Sequence, residues 1–252
     1  FRLISKYTVL YTEMITADAI IFGPRQKLLT FNREELPCVL QLGGSNPQNL
    51  GKAAKYGENY GYSQINLNIG CPSNRVQNGS FGACLMKEPY LVADCVKSIQ
   101  DKCQIPVTIK CRIGVDQMDE EKGLDDFVDI VSEESVNIFI IHARKAILNG
   151  LSPKQNREIP PLNYNRVASL KKRRPDLKII INGGINSISD GLALLQKDDF
   201  DGFMIGREAY KNPYILTSVD KDVFNKNKET KTRYEVAMEM ADYIDNFMKH
   251  EE

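Results

Sequence analysis

The stretch QINLNIGCPS, residues 64–73, is a short β-rich run followed at once by polar and glycine-rich residues. The same order recurs along the chain, where apolar runs are followed by HAR at residues 142–144 and by NGG at residues 182–184. Short apolar runs that are bounded by turn residues predict β-strands. Seven strands are predicted in this way, at residues 8–12, 38–42, 64–68, 107–111, 138–141, 178–181 and 202–205.

Helical patterns lie between most of these runs, at residues 49–58, 89–102, 122–134, 164–172 and 189–196. Pro89 is placed for the first turn of a helix and Ser189 for an N-cap. Strands that alternate with helices predict a parallel sheet with right-handed crossovers. Polar residues at the carboxyl ends of such strands are typical of a (β/α)8 barrel, which builds its active site there. We therefore expect an α/β fold, a TIM barrel.

The two ends of the chain depart from the barrel pattern. A closed barrel of this type has eight strands, and residues 1–6 read as the end of a helix, so we expect a preceding first strand to be missing from the given chain. A charged linker at residues 220–233 precedes a helical pattern at 234–248. We expect residues 1–219 to form the catalytic barrel and 220–252 to be a linker and the first helix of a truncated helical domain. A C-terminal helix folded onto the barrel is the alternative.

Composition narrows the class of protein. The 252 residues are 42% hydrophobic and 26% charged, which is typical of a globular domain. Because 33 basic residues balance 33 acidic ones, net charge does not indicate a nucleic-acid partner, although a local basic patch could still bind one. We expect no membrane span, no metal site and a monomer. Six cysteines without a CxxC pair and a start without a signal peptide predict reduced thiols and a cytoplasmic location.

Two glycine-containing turns predict a phosphate site. Asn182, Gly183 and Gly184 follow the sixth visible strand, and Gly206 and Arg207 follow the seventh. Barrels of this kind bind phosphate at these two loops, where glycines let backbone N–H groups approach an anion and an arginine adds a charged contact. Plain turns are the alternative interpretation of each glycine pair.

Three further strand ends carry donors suited to a flavin. Gln41, Lys110 and His142 all fall where the strands would open into the barrel mouth. A planar heteroaromatic cofactor with carbonyl and ring-nitrogen acceptors needs such donors to hold its ring. A lysine paired with a buried carboxylate and a core histidine remain the alternatives for the individual residues.

Cys71 is the candidate reactive cysteine. It follows a strand end directly, and Gly70 and Pro72 shape a tight turn that would direct the thiol into the barrel mouth, where a general acid or a nucleophile would stand. The other five cysteines lie in apolar surroundings and are interpreted as packing residues: Cys38, Cys84, Cys95, Cys103 and Cys111.

Several blocks of the sequence closely resemble the tRNA-dihydrouridine synthases, specifically their A-type subfamily. They are NLNIGCPSNRVQNGSFGACLM at 66–86, VTIKCRIG at 107–114, IHARKAILNGLSPKQNREIPPL at 141–162, INGGI at 181–185 and MIGREAYKNPYIL at 204–216. The resemblance extends over nearly the whole chain, from residue 10 to residue 219. The block NREIPP is specific to the subfamily.

The resemblance implies an FMN-dependent barrel with a C-terminal helical domain, which uses NADPH to reduce the C5–C6 bond of uridine in the tRNA D-loop, at positions 20 and 20a. Gln41, Lys110 and His142 would contact the isoalloxazine and ribityl region. The phosphate side would be held by Asn182, Gly183, Gly184, Gly206 and Arg207. Reduced flavin would deliver hydride from N5 to C6, and Cys71 would give a proton to C5. Asn68 would touch the target nucleotide, and Lys154 with Arg157 would bind tRNA.

Two other functions remain open at this stage. An FMN barrel that acts on a free pyrimidine, similar to dihydroorotate dehydrogenase, shares the lysine and the phosphate loops but has no use for exposed cations at Lys154 and Arg157. A non-catalytic RNA-binding barrel is the third possibility. The run KKRR at residues 171–174 could add RNA contacts, although a solvated helix end that favours cations explains it more simply.

Overall fold

A computed structural model describes residues 1–73, 76, 79–226 and 230–250. Residues 74, 75, 77 and 78, which belong to the sequence block at 66–86, therefore lie outside the described residues, as do 227–229 of the linker and 251–252. None of the described helices is both long enough and apolar enough to cross a lipid bilayer.

The fold is built on one parallel sheet of eight strands. Its strands are β1 (Leu10–Tyr11), β2 (Ile15–Thr16), β3 (Cys38–Gly43), β4 (Gln64–Asn68), β5 (Val107–Arg112), β6 (Ile138–His142), β7 (Lys178–Asn182) and β8 (Gly202–Met204). They pair in the order β1-β3-β4-β5-β6-β7-β8, and β2 also pairs with β3. The described strands form an open parallel α/β half-barrel, consistent with part of a TIM barrel, as the strand pattern predicts.

Ten helices accompany the strands of the described residues: α1 (Ala17–Phe22), α2 (Arg25–Leu29), α3 (Pro47–Tyr60), α4 (Pro89–Gln100), α5 (Glu120–Ser132), α6 (Tyr164–Arg173), α7 (Ile188–Asp198), α8 (Arg207–Lys211), α9 (Val219–Asp222) and α10 (Arg233–His250). Pro89 begins α4, as predicted. The N-cap predicted at Ser189 is wrong, because Ser187 caps α7 by accepting from the Asp190 N–H at 3.0 Å. The five longer predicted helices are otherwise confirmed to within two residues at their ends.

The N-terminal region differs most from expectation. Residues 1–6 form a turn in which the N–H groups of Ile4 and Ser5 donate to Phe1 O, and not the helix end expected there. The helices α1 and α2 were not predicted at all. They have six and five residues, so neither is long enough to show an apolar helical period.

Apolar side chains on one face of the sheet pack with those of the helices in the main hydrophobic core. Leu67, Ile109 and Ile141 lie on this face and are fully buried. The other face carries polar strand residues such as Asn66 and Thr108. Cys38, Cys95, Cys103 and Cys111 are buried, as predicted, and burial raises the pKa of each thiol to about 11 or about 12. Cys84 is half-buried, and its Sγ lies 3.1 Å from Phe81 O.

Helix α10 makes few contacts with the barrel. Val236 packs against a small apolar cluster that includes Ile188 and Leu216, and the Tyr243 hydroxyl accepts from Asn32 Nδ2 at 2.7 Å. Much of its apolar surface is exposed. The division into a barrel at 1–219 and a separate helical unit at 220–252 stays a prediction.

The basic run at 171–174 is not a solvated helix end. Lys171 is buried, and its Nζ lies 2.8 Å from Asp201 Oδ2 and 3.0 Å from Leu177 O. Arg173 and Arg174 pair with carboxylates of neighbouring elements, Asp125, Asp129 and Asp176. These cations join α6 to α5 and to the loop before β8, while Lys172 and Arg173 are the exposed members of the run.

The Lys171 contact predicts a difference between adjacent lysines. Lys171→Met removes the partner of Asp201 and a donor to a buried carbonyl, so we expect the free energy of unfolding to fall by about 1–3 kcal/mol. Lys172→Met is the matched control and should change it by less than about 0.5 kcal/mol. Urea unfolding followed by circular dichroism measures both. Equal effects of the two substitutions would contradict the structural role of Lys171.

Candidate active site

The parallel register brings most of the predicted site residues to one edge of the sheet. Asn68 of β4 lies beside Lys110 of β5, and His142 of β6 lies between Arg112 of β5 and Asn182 of β7. Gln41 of β3 pairs in register with Asn66 of β4. All of these strands run in the same direction, so their carboxyl ends share one edge, where barrels of this architecture build their sites.

A chain of side-chain amides runs beneath this edge. Thr108 Oγ1 accepts from Asn66 Nδ2 at 2.9 Å, and Asn66 Oδ1 accepts from Gln41 Nε2 at 2.9 Å. Gln41 Oε1 then accepts from Asn68 Nδ2 at 2.8 Å. Gln41 therefore already holds Asn66 and Asn68, and only the second hydrogen on its Nε2 remains for another acceptor.

Asn68 connects this chain to Cys71. Its Oδ1 accepts from the N–H groups of Gly70 at 3.0 Å and Cys71 at 2.9 Å. Two backbone donors fix which atom of the Asn68 amide is oxygen, and that choice determines the direction of every amide in the chain. Asn68 thus shapes the turn that carries the predicted reactive thiol.

Cys71 itself is half-buried at the end of this turn. Its Sγ lies 3.6 Å from Ser73 Oγ, and its carbonyl oxygen accepts from the Ala83 N–H at 2.9 Å. The thiol is therefore neither sealed in the core nor on an open surface. A proton donor needs this combination of fixed position and access.

Lys110 is held by the next strands of the sheet. Its Nζ donates to Asn182 Oδ1 at 3.1 Å, and Asn182 Nδ2 donates to Met204 O at 2.8 Å. Burial, together with the charge of Arg112, lowers the pKa of Lys110 to about 8. In this structure Asn182 positions the lysine, a role that differs from the phosphate contact expected from the sequence.

His142 packs directly against the first glycine of the NGG turn. A Cβ at Gly183 would stand 2.5 Å from Cδ2 of His142, and the φ angle of Gly183 is +112°, so a larger residue cannot replace it without moving the imidazole. Burial is the main cause that lowers the pKa of His142 to about 2, and the charges of Lys110, Arg112, Arg144 and Arg207 lower it further. The imidazole is consequently neutral at physiological pH.

The second predicted phosphate loop lies in the open. Gly206 and Arg207 are exposed, and Arg207 Nη1 lies 3.1 Å from Glu158 Oε1. A Cβ at Gly206 would meet no atom within 4 Å among the described residues, whereas one at Gly184 would stand 2.5 Å from Leu162 Cδ1. Close packing therefore requires the first glycine pair, but not Gly206.

The segment at 145–158 carries the two predicted tRNA-binding residues. Lys154 is exposed and immediately precedes the short 3-10 helix Gln155–Arg157, whose last residue, Arg157, is half-buried. Asn156, at the centre of this helix, is fully buried. Its side chain accepts from the Ile147 N–H at 2.7 Å and donates to Ile147 O at 2.8 Å and Leu151 O at 3.1 Å. Asn156 therefore orders the segment and presents Lys154 to solvent.

Two arginines of the site were not singled out from the sequence. Arg112 is buried at the end of β5, and the Arg144 guanidinium donates to Glu158 O at 3.3 Å and to Pro160 O. Their place in the motifs KCR and HAR, two residues after Lys110 and His142, was the available signal. Both add positive charge to the same edge of the sheet.

Cations dominate this edge of the sheet. The groups that lower the His142 pKa by their charge are all basic, and Glu158 is the carboxylate that pairs with Arg207. Among the described residues, Nε of Arg144 and Nε of Arg157 are buried without a hydrogen-bond partner. The described residues contain no group of three or more His, Cys, Asp or Glu suited to a metal ion. The arrangement is suited to an anionic ligand.

Comparison of the sequence with known proteins identifies the family to which the chain belongs. The family model described as "Dihydrouridine synthase (Dus)" matches residues 1–252. The chain belongs to the dihydrouridine synthase family. It is 55% identical over 245 residues to a tRNA-dihydrouridine(20/20a) synthase of Vibrio parahaemolyticus, which covers 97% of this chain and 74% of the relative.

Two further relatives carry the same name. The protein of Synechocystis is 49% identical over 249 residues, covering 99% of this chain and 74% of its own length. The protein of Escherichia coli K12 is 53% identical over 245 residues, covering 97% and 70% respectively. The resemblance stated from the sequence blocks is therefore confirmed at the level of the family.

Dihydrouridine synthases are a flavin-dependent family, generally with FMN, and the residues at this edge fit such a group. Lys110 and the neutral His142 can donate to ring acceptors, and the backbone at Gly183 and Gly184 leaves no room for side chains. The exposed Arg207 can meet a phosphate.

The low pKa of His142 predicts a pH dependence of stability. The unfolded chain binds a proton on this histidine below pH 6.5, whereas the folded chain does not, so His142 makes stability fall as pH decreases from 7 to 5. In His142→Gln this contribution disappears, and we expect the pH slope below pH 6.5 to be shallower by up to about 1.4 kcal/mol per pH unit. Urea unfolding at pH 7, 6 and 5 measures the slope. An unchanged slope would show that His142 is protonated in the folded protein.

Proposed function

We propose that this protein is an FMN-dependent tRNA-dihydrouridine synthase, which reduces uridine at positions 20 and 20a of the D-loop with NADPH as reductant. The observation that carries the proposal is the position of the Cys71 thiol on the same cationic edge as Lys110 and His142, in a chain 49–55% identical to relatives named for these positions. Gln41, Lys110 and His142 would contact the flavin ring. Its phosphate side would be held by Gly183, Gly184, Gly206 and Arg207, with Asn182 acting through Lys110.

FMN, when bound, would supply the hydride that adds to C6 of the uracil ring. Cys71 would hold the proton on its Sγ and give it to C5 of the same ring, which completes the reduction of the C5–C6 bond. The turn made by Asn68 fixes the backbone of Cys71 through the N–H groups of Gly70 and Cys71, so the thiol approaches the base from a fixed direction. The second hydrogen on Asn68 Nδ2 has no acceptor among the described residues and would touch the target nucleotide.

The substrate must be presented as an extruded base. A uracil within folded RNA can reach a half-buried thiol only when it leaves its stack. Lys154 and Arg157 would hold the RNA backbone beside the site, because both are cations of one ordered segment, the first exposed and the second half-buried. An enzyme acting on a free pyrimidine would have no use for an exposed cation on a loop that Asn156 orders so thoroughly.

The proposal predicts opposite results for two neighbouring cysteines. Cys71→Ala removes the proton donor, so we expect dihydrouridine formation to fall by about 10²–10⁴-fold. Cys84→Ala is the matched control, since Cys84 is also half-buried but donates to Phe81 O, and it should keep activity within about threefold. Unmodified tRNA is incubated with protein, FMN and NADPH, and mass spectrometry of nuclease fragments reports the amount and position of dihydrouridine.

Two outcomes of this assay would contradict the proposal. Wild-type protein that binds flavin but leaves uridines 20 and 20a unreduced would refute the activity. Equal activity of Cys71→Ala and wild type would refute the role of the thiol while leaving the activity intact.

A further inference from the structure

Arg112 differs from the other strongly buried cations of the described chain. Arg166 pairs with Asp125 and Lys171 pairs with Asp201, as expected for charges removed from water. Arg112 is 3% exposed and forms no ion pair with a described residue. Among the described residues, its guanidinium donates to backbone carbonyl groups alone.

These three carbonyl groups come from two loops at the carboxyl edge of the sheet. Arg112 Nε donates to Gly70 O at 2.9 Å, and Nη1 donates to Lys145 O at 3.1 Å and to Asn156 O at 3.0 Å. The first loop follows β4 and carries Cys71. The other two contacts lie at the beginning and near the end of the segment at 145–158, which carries Lys154 and Arg157.

The contact to Gly70 acts directly on the placement of the thiol. The peptide bond between Gly70 and Cys71 has its carbonyl oxygen bound by Arg112 and its N–H bound by Asn68 Oδ1 at 2.9 Å. A peptide plane held at both its polar atoms cannot rotate, and that plane sets the direction in which Cys71 leaves the turn. Arg112 therefore helps to set the orientation of the Cys71 side chain through the peptide bond that precedes it.

The contacts to Lys145 and Asn156 connect the same guanidinium to the opposite side of the site. Asn156 uses its side chain to order residues 147–151 and its carbonyl oxygen to accept from Arg112. The planar fork of an arginine can reach several acceptors in fixed directions, whereas the single ammonium of a lysine cannot span both loops. One buried side chain thus joins the turn of the thiol to the segment of the basic residues.

We propose that Arg112 is a positioning residue that fastens the Cys71 turn to the segment at 145–158, so that the thiol and the RNA-facing residues keep one fixed relative placement. The inference rests on the proposed function for its effect on catalysis, but the fastening itself can be measured without activity. The positive charge of Arg112 next to Cys71 is secondary in this role, and the fork geometry is the essential feature.

The test compares Arg112→Lys with Arg166→Lys in the flavin-loaded protein. Both replace a buried arginine by a lysine and keep the charge, but Arg166 lies on α6 and binds α5. Iodoacetamide is added without tRNA, and peptide mass spectrometry gives the alkylation rate at Cys71. We expect Arg112→Lys to free the turn and raise this rate by at least about threefold, and Arg166→Lys to leave it unchanged. An unchanged rate in Arg112→Lys, with flavin retained, would overturn the proposal.

A second measurement separates positioning from general damage. With saturating tRNA, Arg112→Lys should lower kcat by about tenfold or more, because the proton donor is misplaced, while the KM for tRNA stays within about threefold. A loss of flavin absorbance, tRNA affinity and melting temperature together would mean that Arg112 only stabilises the fold, and would overturn the proposal. If the wild type makes no dihydrouridine, the proposed function fails, and the alkylation comparison alone still decides the role of Arg112.

Discussion

The site depends on the parallel, in-register pairing of β3 through β7. One face of these strands is apolar, the other carries polar side chains toward the carboxyl ends, and the ladder places Asn68 beside Lys110 and His142 between Arg112 and Asn182. A slip of one residue would turn each of these side chains to the opposite face of the sheet. Backbone pairing, rather than any single side-chain contact, therefore brings together residues that are more than a hundred positions apart in the chain.

Positive charge is distributed unevenly between the helix side of the fold and the carboxyl edge of the strands. On the helix side of the fold, buried cations such as Arg166 and Lys171 have carboxylate partners that join elements together. At the carboxyl edge of the strands, Lys110 and Arg112 are held by an amide oxygen and by carbonyl groups, which orient a cation without neutralising it. The edge keeps a positive potential, which adds to the effect of burial in keeping His142 neutral and favours an anionic ligand.

The sequence predicts an element most accurately where a local residue pattern has a direct physical cause. Apolar runs with polar ends predicted the bounds of the long strands from Cys38–Gly43 to Lys178–Asn182 within one residue. Such runs depend only on the hydrophobicity of neighbouring residues, which the sequence gives directly. Very short elements such as α1, α2 and β2 carry too few residues to show a period. The partners of Arg112 could not be predicted either, because they are backbone carbonyl groups of distant loops. Every residue has such a group, so residue type does not indicate which ones accept a hydrogen bond.

The functional residues show the same division. The strand-end positions of Gln41, Lys110 and His142 followed from pattern alone, whereas the partners of Asn182 and Asn68 within the protein could not be predicted from the sequence. Asn182 orients Lys110, and Asn68 shapes the turn of Cys71. The burial of Lys171 within the basic run was missed for a related reason, because most of the carboxylates that bind the run belong to α5 and the loop before β8, far away in sequence.

A titration of FMN with the purified protein, followed by quenching of flavin fluorescence, tests whether these strand ends hold a flavin. We expect saturable quenching by the wild type and an affinity lower by about tenfold or more in Lys110→Met, because that substitution removes a charged donor from the ligand. Lys172→Met, which changes an exposed lysine of α6, should bind FMN as the wild type does. Absence of saturable quenching, or equal affinities of wild type and Lys110→Met, would contradict the claim that these strand ends form a flavin site.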